Sequence, residues 1–164
     1  MKKLFLLFAL AFVAMSCGDH CPSLCPSNEI WYTNGSTTEP INPSEEDVFG
    51  VNIISNTYDS EKECWVIKFD GDVTTIGGGA FAWCKSLTSV TIGNSVTTIG
   101  DEAFWDCDSL TSVTIPDSVT TIGNSAFSRC KSLASVTIGK SVSEIGKDAF
   151  KECNIGTIVY CPKI

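Results

Sequence analysis

Hydrophobic positions recur every 23 residues over the C-terminal part of the chain. The first three units begin with V-T-T-I-G, continue through A-F-x-x-C and reach L-x-S-V-T-I. The last two apolar residues of that strand segment stand two positions apart and therefore share one face of a β-strand. A fixed period of this length is typical of a solenoid, in which stacked units bury a continuous core. We therefore predict four units, at residues 73–95, 96–118, 119–141 and 142–164.

Two sets of apolar columns form the predicted core. The strand columns begin with Leu87, Val90 and Ile92, and a glycine such as Gly77 precedes an Ala-Phe pair that we expect to form a short helical turn. Asp101 and Asn124 are suited to cap that turn. The return limb adds the columns that begin with Val73, Ile76, Ala80, Phe81 and Cys84. The predicted fold class is a repeat solenoid with parallel β-strands on one side and short helical turns on the other.

The fourth unit departs from the pattern. It lacks one residue after Cys153, so that Ile158 and Tyr160 take the positions of Val136 and Ile138. Stacked repeats normally carry a polar cap at each end. Since we find none beyond Tyr160, we expect the C-terminal end of the solenoid to contact a second copy of the chain or another partner.

Residues 29–72 read as an N-terminal β cap. Strand-forming residues at 29–33 precede Asn34-Gly35, which suits a hairpin turn. A second hairpin is expected from residues 51–55 and 64–69 around a polar turn. One period before the first unit, Cys64, Ile67 and Phe69 fall in the Leu, Val and Ile columns, so this hairpin is expected to supply the first parallel strand. We expect the core of the cap to contain Trp31, Tyr32 and Trp65.

The N-terminus carries an export signal. Lys2 and Lys3 precede an apolar run of 12 residues, which is too short to cross ~30 Å of hydrocarbon but suits a signal peptide. The run ends at A-M-S-C, which resembles a bacterial lipobox and implies cleavage before Cys17 and lipidation of that residue. We predict a signal peptide at 1–16 and a tether at 17–28, with the lipid as the contact to the membrane. An ordinary secretory signal is the alternative.

Charge and composition restrict the function. The chain has 11 Lys and Arg against 19 Asp and Glu, a net charge of −8, which disfavours nucleic-acid binding. The single histidine, His20, lies in the tether. We therefore predict no Ser-His-Asp or Cys-His catalysis, no metal and no cofactor.

Nine cysteines divide into groups. A column 23 residues apart is predicted to be a ladder of buried thiols, because strands ~4.8 Å apart place in-register Cβ atoms too far apart for relaxed disulfides. Cys21 and Cys25 form either a local disulfide or remain unpaired, and Cys64 and Cys161 have no assigned partner. The ladder consists of Cys84, Cys107, Cys130 and Cys153.

The unit L-x-x-L-x-L followed by A-F-x-x-C resembles the leucine-rich repeats of bacterial BspA-like surface proteins. The resemblance covers residues 64–164 closely, and the cap at 29–63 is also similar to such lipoproteins. It implies surface display, and the family includes adhesins and proteins implicated in binding host extracellular proteins. Together with Asp19 close after the lipobox, it implies the outer membrane and the cell surface of a Gram-negative bacterium.

Two surfaces are candidates for binding. The outward strand columns form a regular Ser/Thr face that lacks Tyr, Trp and Arg, the usual energetic anchors; it consists of Ser89, Thr91, Ser112, Thr114, Ser135 and Thr137. Beside the Ala-Phe pair, Trp83 and Trp105 either form a contact patch with Asp106 and Arg129 or cover the edge of the solenoid. We predict a surface-anchored adhesion module for an unidentified protein or glycan. The alternative is a structural display lipoprotein without a soluble ligand.

Overall fold

The structure is a computed structural model that describes residues 25–43 and 48–160. The predictions for the signal peptide, Cys17, His20, Cys21 and Cys161 lie outside these residues. The described part contains these strands: β1 Glu29–Thr33, β2 Ile53–Asp59, β3 Cys64–Phe69, β4 Thr75–Ile76, β5 Ser89–Thr91, β6 Thr98–Ile99, β7 Ser112–Ile115, β8 Thr121–Ile122, β9 Ser135–Ile138, β10 Glu144–Ile145 and β11 Thr157–Tyr160.

The strands form two sheets that enclose the core. The larger sheet has seven strands in the order β11-β9-β7-β5-β1-β3-β2, and the smaller has four in the order β10-β8-β6-β4. Strands β5, β7, β9 and β11 pair in parallel, with Val113 opposite Val136 and Val136 opposite Ile158. The predicted solenoid and its register are confirmed, including the shift of one residue in the fourth unit.

No helix occurs within the described residues, and the Ala-Phe segment forms consecutive hydrogen-bonded turns in place of the predicted helical turn. Its backbone N–H groups alternate between two directions. The N–H of Ala80 bonds to the carbonyl of Gly77 in the same unit, whereas the N–H of Phe81 bonds to the carbonyl of Ala103 in the next unit at 2.7 Å. Every second donor is therefore committed to the neighbouring unit and is not available for a helical bond to residue i−4.

Phenylalanine rings form a stack along the axis of the solenoid. Phe81 and Phe104 are parallel within 4° with centroids 5.2 Å apart, and Phe127 and Phe150 continue the stack. Phe49, from the segment before β2, meets Phe81 edge-on at 5.9 Å. The cap thus closes the first layer of the core with an aromatic side chain, since Phe49, Phe81, Phe104 and Phe127 are all buried.

Glycines allow the units to stack closely. A Cβ on Gly123 would lie 2.5 Å from the backbone nitrogen of Asp101. The side chain of Asp101 accepts a hydrogen bond from the N–H of Asn124 at 2.6 Å, and Asn124 accepts one from Lys147 at 2.9 Å. Asp101 and Asn124 therefore bind the following unit, whereas the sequence led us to expect caps of their own turns.

The cap differs from the expected arrangement in one respect. β2 and β3 form the predicted hairpin, but β1 lies between β3 and β5 and is antiparallel to both. The prediction that β3 is the first parallel strand is therefore wrong. β1 occupies that place because Ile30 and Tyr32 are buried and extend the apolar layer of the sheet. Asn34-Gly35 forms a turn closed by an Asn34–Ser36 hydrogen bond, but it does not connect two paired strands.

Residues at the end of the predicted tether contact the folded part. The carbonyl of Ser27 accepts a hydrogen bond from the N–H of Val73 at 2.8 Å, and that of Asn28 accepts one from Phe69 at 3.0 Å. Cys25 is buried as a free thiol, which is the unpaired alternative that the sequence left open. Its thiol donates to the carbonyl of Glu29 at 3.4 Å.

Several of the apolar columns are exposed in the last described unit, although Ala149 remains buried. Ile145 is 44% exposed, Ile158 45% and Tyr160 63%, whereas Val136 and Ile138 in the preceding unit are buried. The N–H groups of Asp148, Phe150 and Glu152 occupy the positions that donate to a following unit elsewhere, and none of them has a partner within the described residues.

Within residues 25–43 and 48–160, no helix has the length and apolar character needed to cross a membrane.

Candidate functional site

The candidate site includes a position of the repeat whose backbone conformation is unusual. Trp83 has a φ of 64°, and its equivalents Asp106, Arg129 and Glu152 have φ values of 59°, 63° and 59°. Residues other than Gly rarely adopt the left-handed conformation, and among them Asn and Asp adopt it most often. The fold requires this conformation in all four units, but the conformation does not favour Trp. The tryptophan at this position is therefore not explained by backbone geometry.

Trp83 and Trp105 form an aromatic pair flanked by cations, which we name the tryptophan patch (Trp83, Lys85, Trp105 and Arg129). The indole centroids are 4.3 Å apart with planes at 89°, a T-shaped contact. The Lys85 ammonium lies 5.7 Å from the Trp83 ring, and the Arg129 guanidinium 5.4 Å from the Trp105 ring. Trp83 is 57% exposed, and Trp105 is half-buried. The predicted pair thus exists, and one member faces solvent.

Asp106 lies beneath the patch. Its side chain is only 3% exposed, and its carboxylate is 3.3 Å from the Lys85 ammonium and 3.7 Å from the Arg129 Nε. The sequence suggested a contact residue, but burial leaves Asp106 no direct access to a partner. Its charge instead holds the two cations beside the rings. Asp106 Oδ1 and Arg129 Nε are buried without a hydrogen-bond partner in the described part of the chain.

Charges alternate from unit to unit along two columns beside the patch. Arg129 lies between Asp106 and Glu152, and its Nε is 3.6 Å from the Glu152 carboxylate. Asp108 lies between Lys85 and Lys131, at 3.4 and 3.0 Å. The Lys131 hydrogen bond, followed by that of Lys85, lowers the pKa of Asp108. Hydrogen bonds to Asp106 and then Asp108 raise the pKa of Lys85. These pairs balance the charge around the two indoles.

The Ser/Thr columns all lie on one surface of the larger sheet, which we name the outer face. The side chains of Ser112 and Thr114 are exposed, and the remaining four candidates, Ser89, Thr91, Ser135 and Thr137, are half-buried. Trp31 shares this face, because it pairs with Thr91 and alternates with the buried Tyr32. Trp31 was expected in the core with Tyr32 and Trp65, so the sequence missed an aromatic residue on this surface. The signal that could have found it is strand alternation, which places Trp31 on the face opposite Ile30 and Tyr32.

The cysteine ladder lies inside the solenoid. Cys107 and Cys130 are buried and Cys84 and Cys153 are half-buried, all as free thiols. Cys130 donates to the carbonyl of Phe104 at 3.1 Å, and Cys153 donates to that of Phe127 at 3.0 Å. Burial raises the pKa of Cys84 to about 11. The interaction with Cys107, reinforced by burial, raises the pKa of Cys130 to about 12. Within the described residues, no group of three or more His, Cys, Asp or Glu side chains is placed to hold a metal ion.

The comparison with known protein families agrees with this architecture. A family model described as "BspA type Leucine rich repeat region" matches residues 51–164 with six copies. The chain therefore belongs to the family of BspA-type leucine-rich repeat proteins, as the resemblance of its repeats predicted. The match begins before the first complete 23-residue unit and includes β2 and β3. Leucine-rich repeats are a fold generally used for protein binding.

Two bacterial proteins of known structure are similar to this chain. A leucine-rich repeat protein from Bacteroides capillosus ATCC 29799 is 29% identical, with a TM-score of 0.50 over 67% of this chain and 75% of that one. A leucine-rich repeat protein from T. pallidum is 31% identical, with a TM-score of 0.45 over 56% of this chain. The match spans 54% of the T. pallidum protein. A search of curated proteins found no match.

Proposed function

We propose that this protein is a surface-anchored adhesion module that binds an extracellular protein through the tryptophan patch. The observation that carries the proposal is the pairing of an exposed Trp83 with Trp105 and Arg129. Trp and Arg dominate the binding energy of protein interfaces, because they combine a large apolar area with fixed polar groups. The alternating charges around the indoles fix the two cations in place before binding, which reduces the entropy lost on association.

The anchor is part of the same proposal. The lipobox at residues 14–17 and the apolar run before it support export and lipidation of Cys17. Two or more acyl chains would hold the protein firmly, because each buried CH₂ contributes about 0.8 kcal/mol. Metabolic labelling with a palmitate analogue tests this step, and a Cys17→Ala variant that still incorporates the label would contradict it. Protease treatment of intact cells distinguishes display at the surface from retention behind the outer membrane.

Binding is tested by an array of purified host extracellular proteins. We expect the Trp83→Ala/Trp105→Ala variant to lose at least tenfold in affinity for a protein that the parent binds. Ile54→Ala is the matched control, since Ile54 is 67% exposed on β2 and belongs neither to the tryptophan patch nor to the Ser/Thr columns. Equal affinity of the parent and the double variant would exclude the patch as the binding site. If no protein on the array binds, the structural display function remains in place of adhesion.

The exposed apolar layer of the last unit supports a further contact, between the solenoid and a second copy or a partner. Ile158 lies on β11, an edge strand of the larger sheet in the described part of the chain, and its equivalents in β7 and β9 are buried. Sedimentation of the protein over a range of concentrations tests self-association. We expect Ile158→Glu to shift any dimer to monomer, whereas the control Ile54→Glu leaves it intact.

A further inference from the structure

A small cavity opens on the outer face where the cap meets the repeats. It has a volume of about 180 Å³, and its lining includes Trp31, Thr33, Ser89, Thr91 and Lys62. It is separate from the tryptophan patch, which lies beside the Ala-Phe turns. We name it the Trp31 pocket.

The insertion of β1 creates this pocket. Because β1 pairs with β5, Trp31 lies opposite Thr91 and Thr33 lies opposite Ser89. Strand alternation directs these four side chains to the outer face, while Ile30 and Tyr32 enter the core. The Trp31 ring is half-buried, and its indole N–H donates to the Glu29 carboxylate at 2.7 Å. The ring is therefore fixed in place as part of the wall.

The charges near the pocket are already paired. Lys62 forms an ion pair with Asp59, and the Glu29 carboxylate accepts from Trp31 and lies 3.5 Å from the Lys68 ammonium. A charged ligand would have to compete with these partners. The pocket therefore favours a neutral ligand.

Hydroxyl groups provide the polar part of the lining. The Thr33 hydroxyl is hydrogen-bonded to those of Ser89 and Thr88, each at 2.7 Å, and the Thr91 hydroxyl has no partner among the described residues. A hydroxyl can both donate and accept, so this set matches a ligand whose own groups also do both. The Ser/Thr columns of β7 and β9 continue the same chemistry along the outer face, in register with Ser89 and Thr91.

We propose that the Trp31 pocket binds a neutral saccharide. A sugar ring presents a C–H face and a rim of hydroxyls. The C–H face carries a partial positive charge and packs against the negative face of an aromatic ring. The Lys62 ammonium lies over the Trp31 ring, 5.4 Å from its centroid, which shows the same preference. A sugar that packs on this face displaces the Lys62 side chain, which is 43% exposed. The hydroxyls of Ser89 and Thr91 then pair with the rim, and a longer glycan extends along the Ser/Thr columns.

The test uses the purified protein and three neutral hexasaccharides, of glucose, mannose and N-acetylglucosamine, with heparin as a polyanionic comparison. Isothermal titration calorimetry is expected to detect binding of at least one neutral sugar. We expect Trp31→Ala to weaken that binding at least tenfold and Thr91→Val at least threefold. Thr91→Val keeps the shape of a strand residue, so it tests the pocket even if Trp31→Ala loses packing against its neighbours. The double variant of the tryptophan patch serves as the control and should bind the sugar like the parent.

Three results would overturn the proposal. They are the absence of binding by all three neutral sugars at millimolar concentration, binding of heparin alone, and an affinity that is unchanged in Trp31→Ala and Thr91→Val. Because protein binding is measured at the tryptophan patch with different variants, failure of the saccharide site would leave the proposed protein-binding function intact.

Discussion

The thiol of Cys107 donates a hydrogen bond to the carbonyl oxygen of Phe81, with Sγ and O 3.1 Å apart. The two residues belong to successive units, so the bond joins neighbouring coils through the core. Cys130 and Cys153 repeat this contact at their own positions. The cysteine column therefore links the units directionally, in addition to filling space as small apolar side chains.

Cys130→Ala should destabilise the protein by about 1–3 kcal/mol, because it removes buried volume and the bond to Phe104. Cys84→Ala is the matched control and should cost less, since Cys84 is half-buried and no hydrogen bond of its thiol is found in the described part of the chain. Urea unfolding followed by circular dichroism measures both. An equal loss in the two variants would mean that the sulfhydryl bond contributes nothing.

Stability should fall as the pH rises above about 9. The pKa values of the Cys25 and Cys130 thiols are raised from the ordinary 9.0 to about 12 in the folded protein. Above pH 9 the unfolded chain therefore loses protons that the folded chain retains, and the free energy of unfolding decreases. The contribution is fully present below pH 9 and is lost between pH 9 and 12. Urea midpoints between pH 8 and 11, under reducing conditions, should fall less in Cys130→Ala than in the parent.

Gly123→Ala should destabilise the protein by about 2 kcal/mol or more, because the new methyl group would lie against the backbone of the preceding unit. The control is Gly78→Ala, whose Cβ would meet a single backbone oxygen at 3.3 Å. Thermal unfolding distinguishes the two. If Gly78→Ala lowered the stability more than Gly123→Ala, close stacking of the units would not explain why glycine occupies this column.

Asp106→Asn should weaken partner binding at the tryptophan patch, because Lys85 and Arg129 lose the buried charge that holds them beside the indoles. Asn tolerates the left-handed backbone of this position and nearly matches Asp in size, so the variant isolates the charge. Glu152→Gln removes the exposed partner of the same Arg129 and should change affinity little. Biolayer interferometry with a partner found on the array measures both. A larger effect of Glu152→Gln would contradict the positioning role of Asp106.

The repeats could be predicted in detail because their signal is redundant. Four copies specify the same columns, and a shift of one residue would turn Val113 and Ile115 out of the core. The position of β1 in the sheet could not be predicted in the same way. An amphipathic strand such as Glu29–Thr33 can pair with either edge of the hairpin, and its place depends on contacts between residues far apart in the sequence. The burial of Asp106 could not be predicted either, because its ion-pair partners Lys85 and Arg129 come from the neighbouring units.

Each of the first three units donates N–H groups of its Ala-Phe turn forward along the axis, as Phe81 does to Ala103. Every such interface is made of the same bonds, so the join between any two units is interchangeable with the next. Duplication or deletion of a whole 23-residue segment in the gene would therefore preserve the interfaces, whereas a shorter change would have to be absorbed in a loop, as happens after Cys153. The length of the solenoid can thus vary through recombination between its own repeats without the evolution of a new core.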